Sequence, residues 1–184
     1  MTEMDKLKAG EPYRYDDPEL VNMKDTASMR CAKLNAVDPL DAPGREAAAR
    51  ELFGSAGPEL DIQPGFHCDN GKNIHVGKRF TANFNVTILD GAPVIFGDYC
   101  MVGPGTLIAT TGHPLDPQGR RNRLAISKPI TFGNDVWIGG NCTIVGGVTV
   151  GSNVVIGGGA VVTKDVPDNC VVAGVPARVV KQLA

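Results

Sequence analysis

His113 stands between Gly112 and Pro114 and is one of three histidines in the chain. A neutral imidazole can take a proton from a hydroxyl near pH 7 and return it later, so a histidine on an exposed loop is a candidate general base. The run around it, Thr110-Thr111-Gly112-His113-Pro114-Leu115-Asp116-Pro117, reads as loop. His67 and His75 read as structural or surface residues. Arg120, Arg121 and Arg123 follow closely and read as solvated loop charge that could also attract an anion. The five cysteines, Cys31, Cys68, Cys100, Cys142 and Cys170, are odd in number and contain no Cys-x-x-Cys. Reduced, mostly buried thiols in a cytoplasmic protein fit this pattern better than disulfides or a zinc site.

The loop is defined by what it interrupts. From Ile126, every sixth residue is apolar and large: Phe132, Ile138, Ile144, Val150, Ile156, Val162. Four residues further on come smaller apolar side chains: Ile130, Val136, Cys142, Val148, Val154, Ala160, Val166. Earlier hexads fall at Val76, Ala82 and Ile88, then, after two extra residues, at Phe96, Val102 and Ile108. Such a beat fits a chain that turns a corner every six residues, three sides to a coil, with coils stacked at the parallel-strand spacing of about 4.8 Å. Residues 18 apart then lie above one another: Phe132 on Val150, Ile138 on Ile156, Ile144 on Val162. The corners need residues tolerant of positive φ, and Gly140-Asn141, Gly146-Gly147, Ser152-Asn153 and Gly158-Gly159 stand there. A β-sandwich offers no reason for a six-residue beat. The beat lapses at Pro114 and Arg120, so residues from about 109 to 125 leave the coil, and a long loop on a rigid scaffold is where function concentrates.

Ahead of the repeat the chain reads as helical. Thr2 caps a short helix ending at Gly10, Pro18 opens a second to about Asn35, and Pro43 starts a third that stops at Gly54. The expected division is a helical segment over 1–57 and the coil over 58–184, with a C-terminal cap. Twenty-three of the 184 residues are glycine and only 5 % are aromatic, which suits short strands and tight turns. The net charge of −2 comes with no charge block that would suit nucleic acid, no apolar run long enough to span a membrane, and no secretory leader.

Together these residues resemble the hexapeptide-repeat sugar O-acetyltransferases, in the maltose and galactoside acetyltransferase group. The resemblance rests on Ala9-Gly10-Glu11-Pro12-Tyr13, Cys68-Asp69-Asn70-Gly71-Lys72-Asn73-Ile74, Ala82-Asn83-Phe84 and Thr111-Gly112-His113-Pro114. It continues with Asn134-Asp135-Val136-Trp137-Ile138-Gly139, Val162-Thr163-Lys164-Asp165 and Ala173-Gly174-Val175-Pro176-Ala177-Arg178. It implies a left-handed parallel β-helix, mainly β with a small N-terminal α-helical segment. It also implies a homotrimer with active sites between subunits, and acetyl transfer from acetyl-CoA to a hydroxyl of a small sugar without a metal.

The resemblance assigns roles residue by residue. His113 is the general base, and Asn83 lies near the reacting centre; the competing role for Asn83 is a corner asparagine with positive φ. Asp69 and Asp90 approach the acceptor, and the head from Tyr13 to Asp17, Asp17 included, tunes acceptor choice. Asp69 and Gly91 depart from galactoside-type members and point to a maltose- or glucose-type acceptor. Trp137 packs the pantetheine arm or a neighbouring subunit, and Gly140 and Gly158 let that arm approach. Thr163, Lys164, Arg178 and Lys181 face the CoA phosphates and adenine. Two other readings belong to different classes. A γ-carbonic anhydrase shares the coil but needs histidines at a short spacing that the His113 loop lacks, and a non-catalytic scaffold would leave that loop and the cationic tail unexplained.

Overall fold

A computed structural model describes all 184 residues. Three helices lead the chain, and each start has a chemical reason. Helix α1 (Glu3–Ala9) opens on a reciprocal Thr2–Asp5 capping box and closes at Gly10, whose φ is 70°. Helix α2 (Pro18–Asn35) is capped by Asp17, whose side chain accepts from the Glu19 N–H, with Pro18 in the first turn. It buries Leu20, Ala27, Cys31 and Leu34, spacings that form one stripe. Helix α3 (Ala42–Leu52) is capped by Asp41 and buries Ala48, Ala49 and Leu52.

The rest winds into a three-sided parallel coil. The first face carries Ser55–Ala56, Ile74–Val76, Val94–Phe96, Ile130–Phe132 and Thr149–Val150. The second carries Asp61–Ile62, Thr81–Ala82, Met101–Val102, Val136–Ile138, Val154–Ile156 and Cys170–Ala173, closed by the antiparallel strand Arg178–Gln182. The third carries His67–Cys68, Thr87–Leu89, Leu107–Ala109, Thr143–Val145 and Val161–Val162. All three stacks expected from the 18-residue step are present, Phe132 on Val150, Ile138 on Ile156 and Ile144 on Val162. The corner reading holds as well: φ is positive at Asn141, Gly147, Asn153 and Gly159, the second residue of each predicted pair. Inside, Phe80, Phe96 and Phe132 form a column, the last two stacked at 4.4 Å between ring centres. Truncating a ring of this column to alanine would cost about 3–5 kcal/mol.

The chain leaves the coil after Ala109 and resumes it at Ile130. Ile126, read from the beat as a hexad position, therefore lies outside the coil, in the strand Leu124–Ser127. The excursion is structured. Thr111–Gly112 runs antiparallel to Leu124–Ser127, a short helix α4 (Pro117–Arg121) bridges them, and the head strand Tyr13–Arg14 adds to the other edge of Leu124–Ser127. The helical head and the extruded loop thus share one three-stranded sheet.

Candidate active site

His113 follows the strand Thr111–Gly112, and its position is fixed by that small sheet. Its Nδ1 lies 2.9 Å from the Leu124 carbonyl oxygen. A carbonyl only accepts, so Nδ1 carries the hydrogen and the lone pair of a neutral ring sits on Nε2. The Tyr15 ring meets the imidazole edge-on, with centres 5.4 Å apart. Behind the histidine, buried Tyr13 bonds Ser127 through its hydroxyl at 2.9 Å, and Ser127 bonds Thr111 at 2.9 Å. A Cβ at Gly91 would come within 2.6 Å of the Thr111 hydroxyl and 2.7 Å of the Ser127 hydroxyl. A side chain at 91 would therefore have to displace the Thr111 and Ser127 hydroxyls from this chain.

His113 stands between two cavities. One, of about 350 Å³, is bordered by Tyr15, Lys24, Asp69, Thr111 and His113. The other, of about 370 Å³, runs from Thr110 and His113 past Lys128 to Gly146 on the corner between the third and first faces. Thr163 and Lys164 follow the next strand on that corner, 18 residues on, and both are exposed. In the first cavity Lys24 of α2 pairs with Asp69 at 3.7 Å. Tyr15 lies in the Tyr13–Asp17 segment expected to tune acceptor choice but was not named individually, and Lys24 was not singled out at all. Both lie on head elements whose approach to His113 no local pattern encodes.

Asp90 lies beneath this cavity and lines neither space. It is 0 % exposed, and its carboxylate accepts from the backbone N–H groups of Asp69 at 3.0 Å, Asn70 at 2.8 Å and Asn73 at 3.3 Å. Those amides belong to a turn with no strand partner, so the carboxylate is turned inward to satisfy them. Burial pushes its pKa up to about 7 against the opposing pull of these amides. Asp17 likewise spends its side chain on the cap of α2.

Asn83 sits at a different corner, between the second and third faces, and the cavities bordering His113 do not include it. Its φ is not positive; the left-handed residue of that corner is Asn85. The Asn83 Oδ1 accepts from the Phe84 N–H at 2.7 Å. Gly140 and Gly158 lie on the same corner. A Cβ at Gly158 would meet nothing closer than 3.4 Å, and at Gly140 nothing closer than 3.2 Å, whereas at Gly139 it would strike the Gly158 backbone at 2.6 Å. Coil stacking thus demands glycine at 139 but not at 158. Trp137 projects from the second face, 52 % exposed, in register with exposed Met101. Arg178 and Lys181 are exposed on the closing strand of that face. The remaining histidines, His67 and His75, lie on separate faces, and no group of three or more His, Cys, Asp or Glu side chains is placed to hold a metal ion.

Comparison with known proteins places these features in one family. Residues 6–57 match the maltose acetyltransferase hexapeptide capping motif, and residues 129–164 match the bacterial transferase hexapeptide with its six repeats. The chain is 42 % identical to the galactoside O-acetyltransferase of Escherichia coli over 151 residues, 82 % of this chain and 74 % of that one. It superposes on a maltose O-acetyltransferase from Clostridium difficile with a TM-score of 0.97 at 39 % identity, covering 100 % of this chain and 98 % of the other. A hexapeptide-repeat acetyltransferase from Vibrio cholerae, solved with acetyl coenzyme A, gives a TM-score of 0.91 at 40 % identity, with both chains fully covered. The coil, the helical head welded to its loop and these likenesses agree: the chain belongs to the hexapeptide-repeat O-acetyltransferases, in the group of the maltose and galactoside enzymes.

Proposed function

We propose that the protein transfers an acetyl group from acetyl-CoA directly to a hydroxyl of a small sugar, of the maltose or glucose type, with His113 as general base. The observation that carries this reading is the place of His113 between two cavities, with Nδ1 held by a backbone carbonyl. The Asp69–Lys24 side has polar groups suited to sugar hydroxyls, and the Gly146 side leads towards Lys164. The acceptor hydroxyl gives its proton to Nε2 as its oxygen attacks the thioester carbonyl. The tetrahedral intermediate collapses, the C–S bond breaks, and His113 returns the proton to the CoA thiolate. The buried Cys142 is not required as a nucleophile.

The donor site in this reading is built by two subunits. His113, Thr163 and Lys164 occupy one corner of the coil, and Asn83, Gly140 and Gly158 the next. A neighbouring copy in a homotrimer would bring its second corner to the first, with Trp137 and Met101 covered at the contact. Asn83 would then stabilise the oxyanion, Gly140 and Gly158 would admit the pantetheine arm, and Arg178 and Lys181 would meet the phosphates. Five free thiols suit the reduced cytoplasm. Asp90 and Asp17 act from beneath, by shaping the turn and the helix that border the acceptor.

The test is thiol release from acetyl-CoA across a panel of maltose, glucose, galactosides and serine. Sugar-dependent release is expected, and His113→Ala is expected to lose roughly two to four orders of magnitude in turnover while keeping its CoA affinity. Near-normal turnover in that variant would refute the role of His113.

A further inference from the structure

Three of the five thiols donate to backbone carbonyls: Cys100 to Gly133 at 3.2 Å, Cys142 to Gly157 at 3.2 Å and Cys170 to Pro167 at 3.2 Å. The other two face each other. Cys31 Sγ on α2 lies 3.5 Å from Cys68 Sγ on the coil strand His67–Cys68, across 37 residues of sequence. Both are buried, at 2 % and 8 % exposure. One turn beyond Cys31, Asn35 already pins α2 to the coil, donating to the Phe66 carbonyl at 2.9 Å and accepting from the Gly65 and Phe66 N–H groups. The two thiols therefore meet on elements held together independently of them.

Their neighbours give the pair its meaning. Cys68 directly precedes Asp69. Lys24 stands two helical turns before Cys31 on α2, on the same side of the helix. The Lys24–Asp69 contact that borders the His113 cavity is thus made by the two elements the thiols would join.

We propose that Cys31 and Cys68 form an oxidisable dithiol whose disulfide clamps α2 to the coil and narrows the cavity beside His113. Closing the sulfurs to a bond of about 2.05 Å requires roughly 1.5 Å of approach, which draws Lys24 towards Asp69. A small peroxide is the oxidant that suits so enclosed a pair. The two thiols share one contact in which either sulfur can donate; with Cys68 as donor, its hydrogen bond lowers the pKa of Cys31 and makes that sulfur the first nucleophile. Its thiolate attacks one peroxide oxygen, the O–O bond breaks, and the departing hydroxide takes up the thiol proton as water. The Cys68 sulfur then attacks the sulfenic sulfur of Cys31. The S–S bond forms, the S–O bond breaks, and the second oxygen leaves with the Cys68 proton as water. Two thiols are oxidised and one peroxide is reduced to two waters.

The effect on acceptor binding rests on the sugar acetyltransferase reading; the crosslink itself does not. The test treats the full-length protein with hydrogen peroxide, alkylates remaining thiols after unfolding, and maps the peptides. Expected are a Cys31–Cys68 linked peptide and a melting temperature raised by several degrees, both reversed by dithiothreitol and absent in Cys31→Ser and Cys31→Ala. The acceptor KM should change at least threefold in the oxidised protein while the acetyl-CoA KM holds. Two thiols that stay alkylatable, or that reach unlinked sulfinic acid, overturn the pair. A linked peptide with unmoved melting temperature and acceptor KM overturns the clamp. If the reduced protein acetylates no sugar, the acceptor reading fails, and the linked peptide and melting shift still decide the dithiol.

Discussion

Asp90 is the acidic side chain that the fold removes wholly from water. Burial raises its pKa to about 7, so the folded state holds a proton that the unfolded chain, with a carboxyl near 3.9, releases. A raised folded pKa contributes stability that is fully present below about pH 4 and is lost as pH rises through 7. The contribution is at most roughly 4 kcal/mol, from about three pKa units. Asp90→Asn keeps an oxygen to accept from the Asp69 and Asn70 amides but cannot ionise. Thermal melts across pH 4.5–8 should therefore show the wild type losing stability relative to Asp90→Asn as pH rises. Parallel curves would mean that Asp90 stays ionised throughout. Sequence alone could not separate this carboxylate from Asp69, one turn away in the coil. Both follow a third-face strand and both resemble acceptor ligands, and only the direction of the side chain distinguishes a hydroxyl partner from a buried anchor. Lys24 was hidden for the opposite reason, since a lysine on a solvated helix has no spacing that marks it, and Tyr15 was reached only as part of the Tyr13–Asp17 segment.

Among the elements, the coil was the most legible, because a six-residue beat leaves little else to form. The helix limits were legible too, because Thr2, Gly10 and Pro18 have few other uses, although Asp17, read as an acceptor residue, turned out to be the cap of α2. The three-stranded sheet was not. Its head strand is two residues long and pairs with a partner more than 100 residues away, so it has no period and no turn signal. Ile126 was misplaced for this reason, being apolar and on the beat but belonging to that sheet. Tyr13→Phe tests what the sheet contributes. Losing the Tyr13–Ser127 bond should cost about 1 kcal/mol and loosen the strand whose Leu124 carbonyl orients His113. Turnover should fall several-fold with little change in the acetyl-CoA KM. Unaltered turnover in a destabilised variant would confine Tyr13 to packing.

On the scale of the whole molecule, the separation of Asn83 from His113 by one side of the coil sets up a subunit-mixing experiment. If the chain assembles as the homotrimer proposed above, trimers of His113→Ala alone and of Asn83→Ala alone should both be nearly inactive. Unfolding and refolding them together should restore about a quarter of the wild-type sites, since random cyclic trimers pair an intact His113 with an intact Asn83 that often. No recovery in refolded mixed trimers would place both residues in one subunit's site. The repeat made the scaffold legible without showing this division, because corners of one coil look alike in sequence until their neighbours are known.

The sheet shared by head and loop has a consequence for how such proteins can be recombined. The head that borders the cavity beside His113 also supplies the edge strand behind that histidine, so it is no detachable cassette. Transplanting a foreign head onto this coil would replace Tyr13 and Tyr15 together, altering the cavity beside His113 and how His113 is held in the same cut. Working chimeras should be those whose donor head keeps the Tyr13–Ser127 partnership, or that carry residues 110–127 along with it.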